Sequence, residues 1–252
     1  MDRKLNPEKP STGKLYVMGV GPGAGDLITV RAARILSGLD VIYTPTGKKG
    51  AQSLAHSIIA EYLSPATEVC TYHFLMKADR AAKEAVWDEV AQSLKERVTS
   101  GQKVGFITLG DPMLFSTWVF LLKRLNNLRG LEIVPGITSF SAIAAASATP
   151  LAMENQTLAV VSCMAPETVL EQALLSHDCI VLMKVYSNFA RIRDLLRRHN
   201  LLGHALMMAD ATLPTEQCWR DLDAYSSETK DSGQDLSYFS TILINKNGQL
   251  SR

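Results

Sequence analysis

The chain has 252 residues, 46% hydrophobic and 20% charged, long enough to bury a substantial core as one large domain or two of ordinary size. Its 26 basic and 25 acidic residues leave a formal net charge of +1, so no basic excess points to nucleic acid and no like-charge block reads as an interaction tail. The four cysteines (Cys70, Cys163, Cys179, Cys218) are far apart, without CxxC or Cys/His ligand spacing, which argues against zinc, cluster and redox motifs and for free thiols in a reducing cytoplasm.

Residues 1–13 read as a polar, flexible leader without the apolar stretch of a signal peptide, and no apolar run reaches the length of a membrane span. The run KLYVMGV up to Val20 predicts a buried strand that stops at a glycine cluster. TVRAARILS (29–37) has helical spacing, with Val30, Ala33, Ile35 and Leu36 as its apolar stripe. A short strand at Val41–Tyr43 follows, ended by Pro45 and Gly47, then a helix over 52–62. The segment TYHFLMKADR reads as a lid, and 81–98 as an amphipathic helix with Ala85, Val86, Val90, Leu94 and Val98 on one face. KVGFITLGDP is a strand running into a loop; a helix over 117–128 and a strand at Leu131–Val134 come next.

Alternating strands and helices predict an α/β fold whose N-terminal sheet is largely parallel, with ligands at the carboxyl ends of the strands. From Thr138 the composition turns to small residues (TSFSAIAAASATP), and a second α/β series begins. Strands are expected at 158–162, 179–185, 205–208 and 240–245, with a helix over 188–199. The division is therefore into a domain over 14–137 and another over 138–252.

Three motifs carry chemistry. GVGPGAGD (19–26) follows a strand and precedes a helix, where glycines allow close backbone approach and a helix N-terminus favours negative charge. A dinucleotide site is one reading, but Pro22 removes a donor inside the turn and no acid stands at the end of the second strand, where Thr44 and Pro45 sit. A merely structural glycine turn is another. LGDPMLFS (109–116) ends a strong strand, and VPGITSFSAIAAA (134–146) sets hydroxyls beside a glycine turn; each alone is also compatible with an ordinary turn or a close-packed helix.

Together, in this order and spacing, the three resemble the tetrapyrrole methylase family, the class III S-adenosylmethionine methyltransferases, over 15–244. The resemblance implies two α/β domains with an interdomain cleft for S-adenosylmethionine, and a homodimer. It places Gly110, Asp111, Pro112, Phe115 and Ser116 in the cofactor loop, and Thr138 and Ser139 at a second cofactor contact. Met183 falls at an adenosyl contact, Ala211 where relatives often carry the glycine of an NGT-like turn, and Thr241 and Ile242 on a strand closing the adenine pocket. Pro22 borders the substrate. The first loop departs from the usual GPGD, with Ala24 and Gly25 ahead of Asp26.

Within the family, ITLGDPMLFSTW and TPTGKKGAQSLAHSII resemble the branch that methylates C20 of precorrin-2 or cobalt-factor II in cobalamin biosynthesis. Other corrin positions, a diphthamide or ribosomal-RNA acceptor, and a nicotinamide oxidoreductase remain the alternatives, as does a protein that only binds such ligands. Some uroporphyrinogen-type relatives carry an aspartate where this chain has Thr44, which removes an obvious catalytic base; catalysis by positioning is expected, with no essential triad, no metal and the identity of any base left open. The acidic substrate is expected to meet Lys48 and Lys49, with His73 and Lys77 as weaker candidates, each of which also reads as a solvated or packing residue. Trp87, Met207 and Met208 are expected in the core, and Arg191, Arg193, Arg197 and Arg198 on a solvated helix face.

Overall fold

Apolar residues alternate along β1 (Lys14–Gly19), so that Leu15 and Val17 enter one core and Met18 another. The computed structural model describes residues 13–46, 53–74, 79–125, 127–225 and 236–248. The leader, Lys48, Lys49 and Lys77 lie outside them. The chain forms two compact units, Met1–Ile137 and Thr138–Arg252.

In the first unit β1 joins β2 (Val41–Thr46), β3 (Glu68–His73), β4 (Lys103–Thr108) and β5 (Leu131–Val134) in a sheet of order β3-β2-β4-β1-β5, with every pairing parallel. Helices cover both faces, as a parallel sheet requires. α1 (Val30–Leu36) and α2 (Leu54–Ile59) close the face of Met18, Ile42 and Ile107. α3 (Arg80–Thr99) and α4 (Trp118–Leu125) close the face of Val17, Tyr43 and Phe106.

Several local expectations need correction. The buried stripe of α1 is Ala32 and Leu36, one helical turn apart, while Val30 starts the helix and is 64% exposed. In α3 the stripe runs through Trp87, Val90, Ala91, Leu94 and Val98, and Ala85 faces out. β2 continues through Pro45 to Thr46, because its ladder to β4 ends at Tyr43 and the proline leaves no central hydrogen bond unmade. His73 ends the edge strand β3, its Nδ1 3.2 Å from the Thr46 carbonyl, and residues 75–78 of the expected lid lie outside the described residues.

The second unit begins with α5 (Ser139–Ala146) and adds β6 (Leu158–Ser162), α6 (Glu167–Ser176), β7 (Cys179–Met183), α7 (Phe189–Arg198), β8 (Ala205–Ala209), β9 (Gln217–Trp219) and β10 (Ser240–Asn245). Its sheet, β6-β7-β10-β8-β9, is mixed: β6 and β7 are parallel, and the remaining pairs are antiparallel. α6 and α7 pack on Leu182, Met207 and Ile242; α5 packs through Ile143 on Val181, Met208 and Leu243. Of the four arginines of α7, Arg191, Arg197 and Arg198 are exposed and Arg193 is half-buried; Arg191 also donates to the Cys163 and Ala165 carbonyls at 3.1 and 2.9 Å.

All four cysteines are free. Burial pushes the Cys163 thiol up to about 12, whereas Cys218 is exposed. A raised pKa means less thiolate at a given pH, and the thiolate is the reactive species. A thiol reagent at mildly alkaline pH should therefore label Cys218 first and leave Cys163 untouched until denaturant is added, as read by peptide mass mapping.

Candidate active site

β1 and β4 are neighbours in the first sheet, yet the helices that follow them pack on opposite faces, α1 on one and α4 on the other. This is a topological switch point, where open α/β sheets bind ligands at the carboxyl ends of their strands. Both glycine-bearing loops of the first unit start there.

The loops meet through backbone. Gly21 and Gly110 form an antiparallel bridge, with the Gly110 N–H donating to the Gly21 carbonyl at 2.8 Å. Both have positive φ, +81° and +64°. A Cβ at Gly19 would lie 2.4 Å from the Gly110 carbonyl oxygen, and one at Gly136 would lie 2.1 Å from the same atom. No side chain fits at either place. At Gly110 itself a Cβ would meet nothing closer than the Ile137 carbonyl at 4.0 Å, so that backbone is open to a ligand.

Asp111 accepts the Met113 N–H at 2.8 Å and the Gly136 N–H at 3.0 Å, one on each carboxylate oxygen. Pro112 is buried and stiffens the turn. Phe115 has φ +48°, a conformation that costs a non-glycine residue about 1–3 kcal/mol, and its ring is 41% exposed. Such a strained, exposed aromatic suits a ligand contact. Ser116 accepts the Trp118 N–H at the start of α4 and donates to Thr108 Oγ1, both at 3.1 Å. Pro22 is half-buried in the bend directly after Gly21.

In the second unit Thr138 is the N-cap residue of α5, but its hydroxyl lies 2.8 Å from Ser141 Oγ and makes no cap bond. The first-turn N–H groups from Ser139 onward are thus not satisfied by the cap side chain. Met183 ends β7 and pairs with Thr241, which in turn pairs with Met208; Met183 and Ala211 pack in the cluster on the α5 face. Ile242 points the other way, into the core with Leu182 and Met207, so its side chain is closed to a ligand. β7 stops before Val185 because Lys184 turns left-handed, φ +61°. Burial holds the Lys184 ammonium below its ordinary range. Left-handed backbone also falls on Asp210 and Thr212 but not on Ala211, which is why this turn does not need glycine at 211. Tyr186 and Tyr238, with ring centroids 5.1 Å apart, stand exposed at the same sheet end and carried no signal in the sequence reading.

Thr44 is fully buried on the α1–α2 face, and its hydroxyl has no hydrogen-bond partner among the described residues. Among the described residues no group of three or more His, Cys, Asp or Glu side chains could hold a metal, and no helix is long and apolar enough to cross a membrane.

A parallel sheet with glycine-built loops at its switch point, followed by a second α/β unit, defines a two-unit α/β protein with ligand loops at strand ends. The chain belongs to the tetrapyrrole (corrin/porphyrin) methylases, whose family pattern matches residues 14–223. It is 59% identical over 234 residues to the cobalt-precorrin-2 C(20)-methyltransferase of Salmonella typhimurium, covering 93% of this chain and 97% of that one. Its fold is similar to that of a cobalt precorrin-4 methyltransferase, at a TM-score of 0.73 and 24% identity, covering 99% and 100% of the two chains. It is also similar to a uroporphyrin-III C-methyltransferase from Thermus thermophilus complexed with S-adenosylhomocysteine, at a TM-score of 0.66 and 21% identity, covering 93% and 92%.

Two variants test this geometry. Gly136→Ala must displace the Gly110 carbonyl, and should abolish S-adenosylhomocysteine binding in calorimetry while far-UV circular dichroism stays native. Thr44→Val replaces an unpartnered hydroxyl by a methyl, and should leave methyl transfer intact with thermal stability unchanged or raised, by on the order of 1 kcal/mol.

Proposed function

We propose that this chain transfers a methyl group from S-adenosylmethionine to C20 of cobalt-precorrin-2, within corrin ring biosynthesis. The observation that carries the reading is the 59% identity, across nearly both full lengths, to a relative named for that reaction. The residues present fit the cofactor: Gly110 leaves its backbone open, Phe115 offers an exposed ring, and Thr138 and Ser139 begin a helix without a side-chain cap. Gly110, Pro112, Phe115 and Ser116 would form one contact set, on a loop braced by Asp111, and Thr138, Ser139, Met183, Ala211 and Thr241 another, with Ile242 contributing backbone only.

When bound, the cofactor supplies an electrophilic methyl sulfonium. The chain's part is then to orient and to exclude water. Aligning two reactants can supply up to about 7–11 kcal/mol. A general base adds only about 10²–10⁴-fold, and at Thr44 none is offered. Lys48 and Lys49 are proposed to meet the substrate carboxylates and Pro22 to border the ring. The reading includes a homodimer in the cytoplasm with no nucleic-acid partner, the last supported by the net charge of +1.

Incubation with methyl-labelled S-adenosylmethionine and, separately, cobalt-precorrin-2, metal-free precorrin-2 and ribosomal RNA tests the acceptor. One methyl should be added to cobalt-precorrin-2, at C20 by NMR. Label on RNA alone, or on another ring position, would overturn the proposal.

A further inference from the structure

We propose that the Asp111 carboxylate is a positioning residue for methyl transfer: it fixes the Gly136 backbone against the loop after β4 and acts on the cofactor through that backbone, not by touching it. The inference rests on the functional reading above and concerns how its loop works.

Three observations carry it. Both carboxylate oxygens already accept backbone N–H groups, Met113 on Oδ1 and Gly136 on Oδ2. Charge-assisted bonds of this kind are among the stronger ones in proteins. The loops after β1 and β4 are joined by the backbone bridge of Gly21 and Gly110, which no side-chain change removes. The tie to Gly136, 25 residues away in sequence, is instead a side-chain bond, made where the Gly110 carbonyl lies against the Gly136 Cα. Close approach of two backbones supplies little attraction by itself, and without Asp111 the half-buried Gly136 N–H loses its acceptor. Gly136 stands two residues before Thr138 and three before Ser139.

Asparagine keeps the shape but offers one oxygen, so its amide nitrogen must oppose one of the two N–H donors. Asp111→Ala and Asp111→Asn should therefore both loosen Gly136. Hydrogen exchange of the Gly136 amide, followed by NMR in the cofactor-free protein, should accelerate about ten-fold or more in each variant, while amides in the middle of β1 keep wild-type rates. The dissociation constant for S-adenosylhomocysteine should rise about ten-fold or more. With cofactor saturating, kcat for cobalt-precorrin-2 should fall while its KM stays near the wild-type value.

Lost affinity with unchanged Gly136 exchange would mean that Asp111 touches the cofactor, and would overturn the proposal. Loosened Gly136 with wild-type affinity and kcat would overturn it too, since the loop position would then not matter. If Asp111→Ala fails to fold, Asp111→Asn carries the same three measurements. Failure of the wild-type protein to bind S-adenosylhomocysteine would instead sink the functional reading and leave the exchange comparison standing.

Discussion

The site of the first unit depends on one steric fact: three loops meet at a point with no room for a Cβ atom. Gly19 and Gly136 both press on the Gly110 carbonyl, and any side chain at either position must overlap it. Van der Waals overlap of this size cannot be relieved by a rotamer, because the opposing atoms are backbone. The glycines are thus a condition for bringing the ends of β1, β4 and β5 together. Once they meet, Gly110 is left with open space on its own α-carbon, which is the property a close-lying ligand requires.

The second unit reaches a comparable end by other means. Several of its ligand candidates lie where β7 and β8 end and β10 begins, and the left-handed backbone at that end falls on Lys184, Asp210 and Thr212, none of them glycine. The Asp210 turn is held by its own hydrogen bonds, from Thr215 Oγ1 at 3.0 Å and from the Ser237 hydroxyl. One unit relies on missing side chains, the other on side chains that brace an uncommon backbone.

Much of this was legible before any coordinates. Short apolar runs bounded by glycine marked β1 and β4, since a strand buried on both faces has little polar content, while β5, an edge strand, was marked by the Pro135-Gly136 break after it. β3 was not legible: most of its residues are partly or fully exposed, and its pairing comes from β2 alone. α6 is short, and only Leu170, Ala173 and Leu174 of its residues are buried, at helical spacing. The three motifs stood out singly, but their contact joins residues far apart in sequence, and local patterns hold no such information.

Phe115 shows what such a site asks of the rest of the chain. Its left-handed backbone is unfavourable for an aromatic residue, and its ring is not repaid by burial. Glycine there would relax the turn and remove the ring together. Given the proposed contact of the ring with the cofactor, variants chosen only for heat resistance would drift toward glycine or asparagine at 115, and variants chosen for turnover would hold the phenylalanine. The position thus marks where the evolutionary interests of durability and of catalysis part.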